Sequence, residues 1–241
     1  MKKLWVVVSL AGAMVVSNAF ASMTVVLIDN TSQYSYGDGG EFRAVGNSGL
    51  DSVVDWAAYA ASTQGTVSSA TDGSSWGYSS SLNGLQYFQT FCIQTTVYFN
   101  PGSTYNATVA DAITLGTAWL YSQFAAGTLS GYNYTYGSGR STTAGALQQA
   151  IWFFQNQPGG ATNSFVQAAE AAVGGASAAF GESNGKYGVG GLDLTDPNGN
   201  QAAQDQLIIS VPEASTIIAG ALLALPLGAS AFRILRRNRT A

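Results

Sequence analysis

The chain contains one cysteine, Cys92, among its 241 residues, so it cannot form an internal disulfide. It also contains no histidine. The absence of histidine removes the usual general base and the commonest metal ligand, which excludes Ser-His-Asp hydrolases, Cys-His proteases and His-based zinc sites. No Walker motif or dinucleotide-binding glycine pattern is present. The sequence therefore predicts a protein that is not an enzyme, with no cofactor and no metal site.

The first 21 residues have the three-part pattern of a secretory signal peptide. Lys2 and Lys3 supply the positive start, an apolar run follows from residue 4 to residue 16, and Ala19-Phe20-Ala21 is a small-x-small cleavage site. The apolar run is short for a membrane span. We therefore expect residues 1–21 to be removed and the rest of the protein to be exported.

Residues 211–241 carry a second signal. The short motif Val211-Pro212-Glu213 precedes an apolar run from residue 217 to residue 232. Four arginines follow this run: Arg233, Arg236, Arg237 and Arg239. An apolar run of this length can cross a thin bilayer, and the arginines favour the cytoplasmic side. We therefore expect a hydrophobic tail helix that spans the membrane and anchors an extracellular domain formed by residues 22–210.

The order of motif, apolar helix and arginine cluster resembles the PEP-CTERM sorting signal of didermic bacteria that make exopolysaccharide. Ala214 stands in place of the usual second proline. The resemblance implies recognition and cleavage by an exosortase-type processing enzyme, much as the hydrophobic tail of a GPI signal is removed. It also implies anchoring in the inner membrane, at least transiently, and then a location at the cell surface or outside the cell, with exopolysaccharide as a partner.

The segment between the two signals is acidic, with twelve acidic and three basic residues from residue 22 to residue 212. Such a surface repels phosphate backbones, so nucleic acid is not expected as a partner. Aromatic and aliphatic residues are plentiful, and the length of the segment fits one folded domain.

The predicted elements place strands on both sides of a helical middle, which indicates an α+β domain. Hydrophobic periodicity and turn residues predict strands over 23–29, 85–99, 192–194 and 206–210, and helices over 48–61, 111–126, 144–155 and 163–180. Thr143 is the candidate N-cap of the helix over 144–155, and Asn163 or Ser164 is the candidate N-cap of the next helix.

Cys92 lies within the predicted strand over residues 85–99. Side chains alternate between the two faces of a strand, so Phe91 belongs to a mostly apolar face, whereas Cys92 shares the other face with Thr90 and Gln94. A free cysteine is most often a small buried hydrophobe. Its position on the polar face lowers the weight of that interpretation and leaves open an intermolecular bridge, a free thiol or another covalent bond.

Gln148 and Trp152 lie four residues apart on the predicted helix over 144–155. A helical tryptophan side chain leans toward the preceding turn, so Trp152 is expected to cover Gln148. Taken alone, this pair indicates a surface glutamine packed by a tryptophan.

Together, the two segments resemble the Cys–Gln thioester domains of bacterial surface adhesins. Phe91-Cys92-Ile93 matches the aromatic-Cys-hydrophobic motif of that family, and the run LQQAIW at 147–152 matches its Thr-Gln-x-Ala-Ile-Trp motif with Leu147 in place of threonine. The resemblance covers about residues 85–155. It implies an internal thioester cross-link between Cys92 and Gln148, shielded from water by Trp152 and Phe91, and attack on it by an amine-bearing surface ligand.

Two questions stay open at the level of sequence. Gln149 neighbours Gln148, and only the family spacing selects Gln148 as the acyl partner. The oxyanion formed during the reaction needs N–H or hydroxyl donors, which the sequence does not identify. The alternative function is a structural surface or matrix protein that is sorted by its tail and keeps an inert, buried Cys92. Hydrolysis of polysaccharide would need paired carboxylates, and the nearest acidic pairs are better explained as helix-end or turn residues.

Overall fold

Antiparallel β-strands form the frame of the protein. The computed structural model describes residues 22–29, 35–36, 39–110, 112–199 and 202–211. The strands within these residues are β1 (Thr24–Asp29), β2 (Ser35–Tyr36), β3 (Gly39–Gly46), β4 (Gln64–Thr66), β5 (Gln86–Phe91), β6 (Thr104–Ala110), β7 (Val189–Thr195) and β8 (Ala202–Ile209).

Seven of these strands form one sheet in the order β4-β5-β3-β1-β6-β7-β8, and β2 pairs with β3. The sheet curls, so that the chain leaving β5 meets β8 from the far end of the strand order. Cys92 forms an isolated antiparallel bridge with Gln206. The Thr90 hydroxyl donates to the carbonyl of Leu207 at 2.6 Å, and the N–H of Ile93 donates to the carbonyl of Asp205 at 2.9 Å. This contact brings side chains of β8 to the end of β5.

The helices lie mainly between β6 and β7 in the chain. Those of the described residues are α1 (Ser48–Asp51), α2 (Ser69–Asp72), α3 (Leu115–Ala125), α4 (Ser138–Phe154), α5 (Ser164–Val173) and α6 (Ala176–Ala179). The Thr114 side chain caps α3 through the N–H of Thr117, and Asn163 caps α5 through two backbone N–H groups. The predicted α+β class, with strands on both sides of a helical middle, is confirmed at the level of this element order.

The helix that carries Gln148 begins earlier than predicted. α4 starts at Ser138 after Gly137, and Thr143 is an interior residue rather than the N-cap. The Thr143 hydroxyl donates back to the carbonyls of Gly139 and Arg140, which satisfies it within the helix. α4 therefore places Arg140 and Gln148 on one continuous rod, two turns apart.

Three other predicted elements are shorter than the sequence indicates. The predicted helix over 48–61 is only α1 followed by a 3-10 turn at Trp56–Ala58. The predicted helix over 163–180 breaks between α5 and α6 because Gly174 adopts a left-handed conformation, with φ 99°. The predicted strand over 85–99 ends at Phe91. Two long strands, β3 and β6, have no counterpart among the predictions.

The main core lies between the curled sheet and helices α3, α4 and α5. It is made of fully buried aromatic and aliphatic side chains, including Phe88, Leu120, Tyr121, Phe124, Ile151 and Phe154. α3 and α4 approach closely at Gly116, where an added Cβ would lie 2.9 Å from the Phe154 ring. This packing fixes α4 against the sheet and thereby sets the depth at which Gln148 lies.

The two predicted export signals fall almost entirely outside the described residues. The signal peptide (1–21), Pro212, Glu213 and the anchoring arginines of the tail all lie there. Val211 is described and half-exposed, and its N–H donates to the carbonyl of Val53 at 2.8 Å. Within the described ranges, no helix is long and apolar enough to cross a membrane.

Candidate functional site

Cys92 is completely buried where β5 ends. The predicted alternation put it on a polar face, and in the structure this face is buried as well. The Cys92 Sγ–H donates to Gln204 Oε1 at 2.9 Å, and Gln206 Nε2 donates to Sγ at 3.8 Å. The thiol thus lies among amide side chains of β8 rather than in purely apolar surroundings.

Gln148 reaches the same point from α4 and is also completely buried. Its Oε1 accepts from the backbone N–H of Gly40 at 3.0 Å and from the backbone N–H of Cys92 at 3.1 Å. Its Nε2 donates to the carbonyl of Cys92 at 2.8 Å. Three hydrogen bonds therefore hold the carboxamide in one orientation, against the residue that carries the thiol.

The carboxamide of Gln148 takes the place of the next pair of backbone hydrogen bonds between β3 and β5. Glu41 pairs with Phe91 in that ladder, so Gly40 would face Cys92 one step further on. Gly40 has φ 140°, a conformation that favours glycine, and the pairing of β3 with β5 ends at Glu41 and Phe91. The N–H groups of Gly40 and Cys92 both donate to Gln148 Oε1 instead of to the facing strand. This explains why the strand ends at Phe91.

Burial raises the pKa of the Cys92 thiol to about 12, and hydrogen bonds from the Gln206 side chain and from the N–H groups of Gly40 and Cys92 lower it in part. The N–H groups of Gly40 and Cys92, which lower the pKa of the thiol, also donate to Gln148 Oε1. Two such donors at an acyl oxygen can stabilise a tetrahedral oxyanion.

Trp152 is 5% exposed and borders the site as predicted from its spacing. A Cβ added to Gly39 would lie 2.4 Å from Trp152 Cζ2 and 3.1 Å from Gln148 Cγ, so the indole and Gln148 both lie against this glycine. Among the residues that the structure describes, the indole Nε1 finds no hydrogen-bond partner. The ring closes the site from the side of α4.

Phe91 occupies a different position from the one expected of a shield. Its ring packs edge to face on Phe124, with ring centroids 4.9 Å apart. Consecutive strand residues point to opposite faces, so Phe91 supports the strand from the apolar core while the Cys92 side chain points to Gln204 and Gln206. Of the two predicted shielding residues, the structure brings only Trp152 together with Gln148.

Two residues that bear on the choice of acyl partner flank Gln148. Gln149 is only half-buried, and it is the Gln148 side chain that contacts Cys92. Leu147, which replaces the threonine of the resembled motif, is completely buried in the main core. Within the described residues, no group of three or more acidic or cysteine side chains is placed to hold a metal ion.

A buried ion pair fastens α4 to β3 beside the site. Arg140 Nε donates to Glu41 Oε2 at 3.0 Å, and a guanidinium NH₂ donates to Glu41 Oε1 at 2.5 Å. The Tyr132 hydroxyl donates to Glu41 Oε2 at 2.6 Å, and Arg140 also contacts Gln89. Glu41 follows Gly40 in the chain, and Arg140 precedes Gln148 on α4. The ion pair therefore fixes α4 relative to β3, and with it the position of the Gln148 carboxamide relative to the N–H of Gly40.

Gly39→Ala should displace the groups at the site. The added methyl overlaps the indole and presses on Gln148, and overpacking of this kind costs about 1–3 kcal/mol. Urea denaturation should show this loss of unfolding free energy. In a Trp152→Leu background the indole is gone, so the same alanine should cost much less. An equal cost in both backgrounds would contradict the close contact.

Asp205 should give the stability of the protein a specific pH dependence. Burial raises the pKa of Asp205 from 3.8 to about 6, with a further increase from Asp193, while the Leu194 N–H and Gln94 lower it in part. Between pH 3.8 and about 6 the folded state holds a proton that the unfolded state has released, so stability falls as the pH rises through this window. Urea titrations should show wild type losing stability relative to Asp205→Asn over this range. A constant difference between the two proteins would contradict the prediction.

Sequence reasoning did not identify Gly40, Gln204 or Gln206 as parts of the site. Gly40 acts through its backbone, and β8 reaches Cys92 only because the sheet curls. Comparison of the chain with protein-family models, with curated proteins and with solved structures gave no match.

Proposed function

We propose that Cys92 and Gln148 form an internal thioester, through which this exported protein attaches covalently to an amine-bearing partner at the cell surface. The observation that carries the proposal is the clamping of the Gln148 carboxamide between the N–H groups of Gly40 and Cys92, against the residue that supplies the only thiol. The resemblance of 91–93 and 147–152 to the motifs of Cys–Gln thioester domains supports the same pairing.

The reaction needs no histidine, cofactor or further reactant. Cys92 Sγ attacks Gln148 Cδ, and the Sγ–Cδ bond forms while the Cδ–Nε2 bond breaks. The thiol proton goes to the departing nitrogen, which leaves as ammonia. The fold holds the two reacting side chains together, so no encounter in solution is needed. The N–H groups of Gly40 and Cys92 stabilise the negative charge that develops on Gln148 Oε1.

The second step is attack of an amine on the thioester. The amine nitrogen bonds to Gln148 Cδ and the bond from Cδ to Sγ breaks. A proton passes from the amine nitrogen to Sγ, which restores the thiol. The burial of Cys92 and Gln148 under Trp152 keeps water from the bond, which would otherwise hydrolyse slowly. The product is an amide cross-link between Gln148 and the partner, formed without turnover, so the protein acts as an adhesin rather than an enzyme.

The proposed setting rests on the two ends of the chain. A signal peptide would export the domain, and a PEP-CTERM-like tail would hold it in the inner membrane until an exosortase-type enzyme releases it. The partner would then be an amine-bearing ligand at the surface or within exopolysaccharide. Neutralising Arg236 and Arg237 together should disturb anchoring, seen as a changed distribution between membrane and medium. An unchanged distribution would count against the sorting tail.

The alternative is a structural surface or matrix protein in which Cys92 stays a buried thiol. Its full burial and the pKa of about 12 favour this function, because a protonated thiol is a poor nucleophile. They also mean that the native protein resists alkylation whether or not the thioester has formed. The thiol has to be counted after unfolding.

Peptide mapping distinguishes the two functions. The protein is unfolded, treated with iodoacetamide and digested, with and without hydroxylamine, which cleaves thioesters. The proposal predicts a linked pair of peptides, one with Cys92 and one with Gln148, that hydroxylamine separates. Recovery of an alkylated Cys92 peptide without hydroxylamine supports the inert thiol instead.

A further inference from the structure

The nearest hydrogen-bonding partner of the thiol lies on β8, away from the helix that carries Gln148. Gln204 is 1% exposed, and its Oε1 accepts from Sγ–H at 2.9 Å. Its Nε2 donates to the carbonyl of Gln94 at 2.7 Å. Because that carbonyl can only accept, the amide of Gln204 has one orientation, with its oxygen turned to Cys92.

Gln206 supplies a donor to the same sulfur. Its Nε2 donates to Sγ at 3.8 Å and to the carbonyl of Gln204 at 3.1 Å, while its buried Oε1 has no partner among the residues that the structure describes. A buried acceptor without a partner lowers stability, so the site keeps a donor near the sulfur at a cost in stability. The sulfur therefore has an acceptor for its proton and a donor for its lone pairs.

A second pair of side chains holds this arrangement in place. Gln94 Nε2 donates to Asp205 Oδ2 at 2.6 Å, and the N–H of Asp205 donates to Gln94 Oε1 at 3.1 Å. Asp205 Oδ1 accepts from the N–H of Leu194 at 3.1 Å. These bonds tie the chain just after Cys92 to β8 and to β7, and so fix the carbonyl that orients Gln204.

We propose that Gln204 is a positioning residue for thioester formation, an inference that rests on the proposed function. By accepting Sγ–H at 2.9 Å, Gln204 holds the proton on the β8 side, which leaves a sulfur lone pair for attack on Gln148 Cδ. Gln206 stabilises the negative charge that develops on sulfur as the proton leaves. As the Sγ–Cδ bond forms, the thiol proton leaves its hydrogen bond with Gln204 Oε1 and is taken up by Gln148 Nε2. The Cδ–Nε2 bond then breaks, ammonia departs, and Gln204 stays neutral throughout.

The test starts from full-length chain that has never folded, recovered in denaturant from inclusion bodies, and measures the rate of ammonia loss by mass spectrometry as this chain folds. Gln204→Leu removes the acceptor, and the rate should fall by about 10- to 100-fold, the usual effect of misaligning a reacting group. Gln204→Glu keeps an acceptor oxygen and adds a base, so its rate should rise with pH across the titration of the new carboxyl group. Gln149→Leu is the matched control and should react at the wild-type rate.

The outcomes separate the inference from the proposed function. A wild-type protein that loses no ammonia overturns both. A wild-type protein that loses ammonia beside a Gln204→Leu variant that reacts equally fast overturns the inference alone. If Gln204→Leu does not fold, the Gln204→Glu variant decides: a rate that depends on pH supports the inference, and the wild-type pH profile overturns it.

Discussion

Methylamine should be incorporated at Gln148 in the wild-type protein and nowhere in a Gln148→Met variant. Methionine has a similar length but no carbonyl, so no acyl group exists for the thiol or the amine to attack. The expected effect is complete loss of labelling. It is measured by peptide mapping after exposure to methylamine, together with the release of one thiol per labelled chain.

The neighbouring residue supplies the matched control. Gln149→Met is the same substitution one position along α4, on a half-buried side chain, and it should label as wild type does. Gln148→Met also leaves the N–H groups of Gly40 and Cys92 without their acceptor, at about 1–3 kcal/mol for each buried group left unpaired. Circular dichroism should therefore confirm folding. Labelling that persists in Gln148→Met, or is lost in Gln149→Met, would contradict the pairing.

Arg140→Met should be among the most destabilising single substitutions in the protein. It removes the guanidinium from a fully buried Glu41, and breaking such a pair costs about 3–5 kcal/mol because one charge is left uncompensated. Urea denaturation should show this loss. The variant should also form the thioester poorly, since Arg140 and Glu41 hold α4 in register with Gly40.

A double variant tests the physical reason for that loss. In Arg140→Met combined with Glu41→Gln neither of these two positions carries a charge, so the double variant should be more stable than Arg140→Met alone. If the two substitutions simply add, the ion pair is not the source of the effect.

Features near the site could be predicted where they depend on residues close together in the sequence, such as a helix cap or a spacing of four residues. The Asn163 side chain caps α5 as predicted, and the α4 spacing brings Trp152 to Gln148 as predicted. β3 was missed because Glu41 and Arg43 break its apolar pattern. Both are buried in ion pairs with residues far along the chain, Arg140 and Asp72.

Which residues surround Cys92 could not be predicted, because they come from distant parts of the chain. The alternation around Cys92 indicated a polar face, but a face can be polar and still buried when distant glutamines cover it. Gln204 and Gln206 reach the thiol only because the sheet curls until β8 meets the end of β5. The N–H of Gly40 carries no side-chain signal, and its importance follows only from the register of β3 with β5.

The most direct test of the central claim is the intact mass of the purified protein under acidic, denaturing conditions. The Cys92→Ala variant, with the same processed ends, gives the reference mass. After allowance for the missing sulfur atom, wild type should be lighter than the variant by one ammonia. It should then gain the mass of one methylamine when exposed to that amine before denaturation. A wild-type mass that retains the ammonia would contradict the thioester.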